Sequence, residues 1–386
     1  MMKSVVAVLF LLVVAFGVPS WCLAAGVNGD SQIAGMFDGS PIVIKTTNRL
    51  AGAIDSLVWK GKEFVDSTDH GRQIQTAWTV NGHGQCYNPT EAGSHLDGPT
   101  SSSILLDIRK TSEVSYYTKS KPAFWDPPEF QDPGCNFDVN GTNGPWLGGK
   151  AINKTVVSDW ILEKWVTIGY AGIPNIIKYI SRITVPINPD VEIDYIILDQ
   201  PSVHMPGEFN KWEQYNPQSK LLIPPNTFYG LSNRPHVLST PDGNFALSVY
   251  SPEIPEQGME NLPQYPYLGY QVILLPLQNL SVNGERIAKT ESFTPGSTHT
   301  YVSYIIIGNT EQVRQSLQLL YALNLPATMS GDLNNDKTIN IHDYNILVVS
   351  FGTTGTPGWI VADINPDGKI DIFDYNILVY NFKATQ

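Results

Sequence analysis

From about Gly26 to Ile307, apolar residues alternate with polar ones or form short blocks cut by Gly, Pro, Asn and Asp. A period of two marks half-buried strands, and those four residues mark the turns between them. Strands are predicted over Ile42–Thr46, Val156–Tyr170, Ile176–Pro186, Val191–Leu198, Phe245–Tyr250, Tyr270–Leu275 and Thr300–Ile307. No strand–helix–strand rhythm appears, so a parallel sheet is not expected. One helix is predicted within this part, Thr310 to Leu323, with Val313, Leu317, Leu320 and Tyr321 along one face. It packs back on the sheets and closes the domain. The fold class is mainly β, a large antiparallel sandwich, with a short linker over 326–330.

Beyond the linker the pattern changes. Tyr344–Phe351 and Tyr375–Phe382 space Ile and Leu as helices do. Each follows an oxygen-rich loop: Asp332, Asn334, Asp336, Thr338, Asn340 and Asp343 in the first copy, and Asp363, Asn365, Asp367, Lys369, Asp371 and Asp374 in the second. Calcium takes about six to eight oxygens, and side chains at loop positions 1, 3, 5, 9 and 12 with a position-7 carbonyl supply them. Thr338 and Lys369 hold position 7. Two Asp/Asn-rich surface turns are the plainer alternative. The repeat in register, each copy running into Asp-Tyr-Asn-Ile-Leu-Val, argues for two Ca2+ sites.

The loop-then-helix pair over 331–386 resembles the type I dockerin domain. That resemblance implies a small α-helical module of two loop–helix repeats that folds around calcium and docks onto a cohesin of a scaffold or cell-surface protein. It also implies that positions 10 and 11 choose the cohesin, here Ile341, His342, Ile372 and Phe373. Lys337 stands where the first loop's turn prefers Gly, whereas the second has Gly368. The first site is therefore expected to be the weaker.

Residues 1–24 read as a secretion signal: Lys3, an apolar run from Val5 to Val18, and Cys22-Leu-Ala24 at the cleavage point. The run is too short to span a membrane, so no span is expected after cleavage. The expected location is extracellular, at the cell surface where a cohesin sits there. Cys86 and Cys135 remain. A disulfide and two free thiols both fit the sequence. A net charge of −12 argues against a nucleic-acid partner.

Residues 25–325 are expected to form the carbohydrate-active domain. The hairpin pattern from Gly52 to Val65, turning at Lys60-Gly61, resembles the opening of galactose-mutarotase-like proteins, which implies a β-supersandwich. That fold serves several chemistries, so fold alone does not give a reaction. The densest polar stretch is Asp69-His-Gly-Arg-Gln-Ile-Gln75, followed by Gly82 to His95. Sugars are held by planar polar groups and aromatic faces. Arg72, Gln75, Tyr87 and Asn88 are candidate substrate contacts here, with Trp212 further on. Glu91 is the first candidate catalytic carboxylate, and Glu208 or Glu213, in a loop expected from His204 to Tyr215 after a strand ending near Leu198, the second. Hydrolysis needs two such groups roughly 5 to 9 Å apart. His70 and His204 are candidate bases for a lyase, with Arg72 neutralising a uronate. Each has a structural alternative: His70 as a turn cap, Arg72 as a partner of Asp69 or Glu63. His83 and His95 read as solvated loop residues. Phe124 to Cys135 is a Pro-rich insertion, either one wall of a sugar site or a packed loop.

No phosphate loop, zinc spacing or Gly-x-Ser-x-Gly elbow is present. The combined expectation is a secreted protein that cleaves a polysaccharide and is tethered through its tail. A noncatalytic binding module, a lyase and a scaffold component are the alternatives.

Overall fold

The computed structural model describes residues 27–135, 148–225, 231–252, 269–274, 279–288, 293–323, 331–334, 338–355, 361–364, 368–380 and 382. Among them the large domain is an antiparallel sandwich of an eleven-stranded and a nine-stranded sheet. Ile44, Leu57, Trp59 and Ile74 from the first sheet meet Val166, Tyr179, Leu247 and Ile305 from the second in one core. Alternation produces this. In Ile161–Tyr170, Leu162, Lys164, Val166 and Ile168 face inward, while Trp165 joins a separate cluster on the outer face.

That outer face is covered by the predicted helix, observed at Thr310–Ala322. Val313, Leu317 and Leu320 press on Tyr215, Tyr250 and Ile306. Asn309 and Gln312 close a reciprocal capping box that fixes where the helix starts. The hairpin also forms as expected. Ile54–Trp59 pairs with Lys62–Glu63, and Lys60 and Gly61 both take positive φ (49° and 76°), as a tight primed turn requires.

Two predicted strands begin late. Residues 156–160 are not in the ladder; the Ser158 amide and hydroxyl both bond the Pro122 carbonyl instead, and the strand starts at Ile161. Likewise 191–195 is held by Asn81, whose Oδ1 accepts from the Asp194 and Tyr195 amides. The strand there is Ile196–Pro206, which passes a register slip at Gln200–Pro201 and carries His204 within it. The stretch expected to be a loop from His204 is therefore a strand end, a short turn, and the strand Lys211–Asn216.

The tail forms its two helices at Ile341–Ser350 and Ile372–Tyr380. They pack through Leu347 and Leu378 with Ile339, Ile370 and Ala362, and Tyr344 meets Tyr375 edge-on.

Candidate functional site

Glu91 lies between the sheets rather than at the surface. Its side chain is 0% exposed and ion-paired with Lys164, itself 0% exposed. The other carboxylate oxygen accepts from the Thr76 amide at 3.0 Å. Lys164 also donates to the Gly52 carbonyl at 2.7 Å and sits over the Tyr116 and Tyr179 rings. Burial depresses the ammonium pKa, and Glu91 opposes that. Neither group reaches solvent.

A second set of polar groups comes from loops knitted together around a Cys86–Cys135 disulfide. The Gln85 amide bonds the Gly134 carbonyl, Trp125 N–H bonds Asn88 O, and Ile152 N–H bonds Cys86 O. Asp97 Oδ2 gathers the Ser94 amide and both the amide and hydroxyl of Ser102, shaping the turn that carries His95. The His95 amide on the Trp125 carbonyl and the His70 ring on the Ala92 carbonyl bring together the stretches around residues 70, 95 and 125. A Cβ at Gly71 would lie 2.6 Å from Trp125 Cη2, so the indole rests directly on that glycine, one residue from Arg72.

His95 is the group that the sequence reading missed. Its Nδ1 is 2.8 Å from the Trp125 carbonyl and 3.2 Å from Asp126 Oδ1. Trp125 and Phe130 flank the ring at 5.5 and 4.6 Å. Asp126 is fully buried, and neither of its carboxylate oxygens has a hydrogen-bond partner. Burial pushes that carboxyl up to about 7; Asp132 adds to the effect and His95 opposes it. The signal available in sequence was an Asp following an aromatic pair, and nothing in the spacing tied it to a histidine 31 residues earlier.

Arg72, part-exposed, faces Asp69 at 3.5 Å and Asp66 at 3.8 Å and donates to Thr68. His204 lies beside it, hydrogen-bonded to the Gln73 backbone, with Nδ1 3.3 Å from Ser202 Oγ. Burial lowers the His204 pKa to about 4; Arg72 acts the same way, and Asp69 opposes it. The structure thus sets His204 near Arg72, and rests Trp125 on Gly71, the residue before Arg72.

The remaining sites are placed as follows. Both His70 ring nitrogens face carbonyls, of Ala92 and Gly98. Gln75 spans from the Gly71 carbonyl to the Ala92 amide. Tyr87 is buried against Phe124 with its hydroxyl on Asp190, and burial pushes that hydroxyl's pKa up. Asn88 donates to Gln85. Trp212 packs on the inter-sheet core, its indole N–H on His236. Glu208 is exposed and paired with Lys62, and Glu213 with Lys211.

In the tail, the two position-12 aspartates repeat one arrangement. Asp343 Oδ1 accepts from the Leu333 and Asn334 amides, and Oδ2 from Asn340. Asp374 accepts from the Ile364 and Asp371 amides. Asn340 and Asp371 cap their helices through the His342 and Phe373 amides. Asp343, Asp363 and Asp374 are all buried. Buried carboxylates are costly without a compensating cation, and hard anionic oxygens suit calcium. The donor set therefore fits that ion, with Asp332, Asn334 and Thr338 at the same loop. Asp336, Asn365 and Asp367 lie outside the described residues. Ile341, His342, Ile372 and Phe373 are all exposed.

The family model for the dockerin type I domain matches residues 330–382. The tail is a type I dockerin domain. Dockerins of this type bind calcium, and a dockerin implies a cohesin partner. No curated protein matches the chain. Among solved structures, an alpha-mannosidase from Enterococcus faecalis V583 is similar at 14% identity and a TM-score of 0.43, covering 77% of this chain and 32% of that one. A heparan sulfate lyase from Pedobacter heparinus is similar at 9% identity and 0.32, covering 73% and 35%. A putative aldose 1-epimerase from Klebsiella pneumoniae is similar at 10% and 0.32, covering 78% and 93%. The chain spans about a third of the length of the first structures it matches. Among the described residues, no helix is long and apolar enough to cross a membrane.

Proposed function

We propose that this is a secreted carbohydrate-active protein whose dockerin delivers a polysaccharide-handling sandwich to a cohesin-bearing scaffold. Residues 1–24 direct export, residues 25–325 handle the polymer, and the dockerin binds two calcium ions. The surface that meets the polymer is the one where Trp125, Phe130, His95 and Arg72 gather. The observation that carries this reading is the part-exposed Trp125 indole laid on Gly71, the residue that precedes Arg72 in the chain. An aromatic face takes the apolar side of a sugar ring, and planar polar groups take its hydroxyls. Sites of this kind commonly sit on loops held by a rigid scaffold.

Cleavage of the bound chain is the second reading. It is favoured by His95, which offers a ring nitrogen to solvent with a buried carboxylate behind it. In this reading Glu91 does not serve as the acid, because it is sealed between the sheets.

The test is incubation of the full chain, in calcium, with a panel of plant and algal polysaccharides. Sedimentation with one polymer without soluble products supports binding alone. Oligosaccharides at the hydrated mass mean hydrolysis, and products lighter by one water mean elimination. Neither products nor sedimentation overturns the carbohydrate reading and leaves the docking function.

A further inference from the structure

We propose that His95 is a sugar-hydroxyl acceptor whose tautomer is fixed from behind by Asp126 and the Trp125 carbonyl. This rests on the carbohydrate reading above and names the atom that reads the sugar.

Both groups in range of Nδ1 are oxygens that accept, the carbonyl at 2.8 Å and the carboxylate at 3.2 Å. The carbonyl can only accept, so Nδ1 carries the ring proton. In a neutral imidazole one nitrogen donates and the other accepts, which leaves Nε2 with a lone pair. Among the described residues Nε2 has no hydrogen-bond partner, and the side chain is 21% exposed. Its surroundings are apolar: Trp125 and Phe130 pack against the ring, and Leu96, next in the chain, is 61% exposed. A lone acceptor set among aromatic and aliphatic surfaces matches a neutral ligand with hydroxyl donors on an apolar frame, which is a pyranose ring. It does not match an anion, which would meet a lone pair and no donor.

Asp126 is the positioning residue. It is 0% exposed and its carboxylate oxygens have no hydrogen-bond partner, so its charge faces His95 Nδ1 at 3.2 Å. Fixing a tautomer by the hydrogen bond at the other nitrogen is a general way to set the role of a histidine.

Two measurements test this on the full chain. First, 15N-edited NMR of the imidazoles near neutral pH reads the tautomer without any sugar. A protonated Nδ1 and bare Nε2 at His95 support the proposal; a protonated Nε2 overturns it. Second, affinity for the polymer found by sedimentation is compared for wild type, His95→Asn and His95→Phe. Asn keeps a donor near the Nδ1 position and loses the outer acceptor, while Phe loses both. Thermal melts establish that each variant folds. Loss of one neutral hydrogen bond predicts about three- to tenfold weaker binding for both variants. Unchanged binding in the Asn variant overturns the acceptor role while the carbohydrate reading stands. A wild type that binds no polymer overturns both.

Discussion

Replacing Glu91 by Gln leaves a buried ammonium without its counter-charge, and the size of the penalty can be worked out. Lys164 retains the Gly52 carbonyl and the faces of two tyrosines, but no carboxylate. Removing one member of a buried pair typically costs about 3–5 kcal/mol. An independent ceiling comes from letting the lysine lose its proton. From an ordinary pKa of about 10.4, neutralising it at pH 7 costs about 4.6 kcal/mol at 1.36 kcal/mol per pH unit. The two figures agree, so the variant should lose about 4 kcal/mol and hold Lys164 neutral. With a slope of about 3 kcal/mol per molar urea, the midpoint falls by roughly 1.3 M.

The sign with pH follows. In the variant the unfolded chain binds a proton at Lys164 that the folded chain does not, so stability rises with pH. The deficit against wild type should shrink by about 1.4 kcal/mol per pH unit between pH 7 and 9. Glu91→Leu combined with Lys164→Met should recover much of the loss, since apolar replacement of a buried pair is often neutral. Urea unfolding at three pH values gives all of this. A deficit below about 0.5 kcal/mol, independent of pH, would refute the sealed pair. Full stability together with lost turnover on a polysaccharide would return Glu91 to the chemistry.

Two titrations have opposite signs. His204 has its folded pKa lowered to about 4, so wild type should lose stability relative to His204→Gln as pH falls from about 6.5 to 4. Asp126 has its folded value raised to about 7, so the stability it confers is fully present below about pH 3.8 and is lost as pH rises through 7; Asp126→Asn should remove that loss, as paired urea melts would register. Replacing Cys86 and Cys135 by Ala opens a crosslink of sequence separation 49 and should cost up to about 4 kcal/mol by loop entropy, read from thermal melts under non-reducing conditions. Chelating calcium should reduce the helical circular dichroism of the two tail helices and abolish cohesin capture, leaving the sandwich strands unchanged; an unaltered spectrum in chelator counts against metal-dependent folding of the dockerin.

Local pattern was enough for the dockerin, because each loop carries its oxygen-rich repeat and the helix start within twelve positions. It was enough for the hairpin at Lys60-Gly61 and for the closing helix, whose apolar face is written at helical spacing. It misled at Glu91. A carboxylate in a Pro-Thr-Glu-Ala-Gly turn resembles an exposed group, and only the strand bearing Lys164 turns it inward. His204 was assigned to a loop after a strand ending near Leu198, yet the ladder runs on past Pro201 and stops at Pro206. His95 and Asp126 were unreadable as a pair, because their meeting depends on the Trp125 amide reaching Asn88 and the disulfide closing behind them.

The indole of Trp125 sits on the one residue type that has no side chain to displace it. A support built from missing atoms cannot be adjusted by degrees. Any side chain at position 71, even a single methyl, would meet the edge of the ring at 2.6 Å and force it to shift, whereas changes at Arg72 or Phe130 would leave that contact in place. Across variants of this chain the aromatic platform should therefore behave as a binary character, held or lost with one codon. A lineage that gave up Gly71 could not be expected to keep Trp125 for the same purpose.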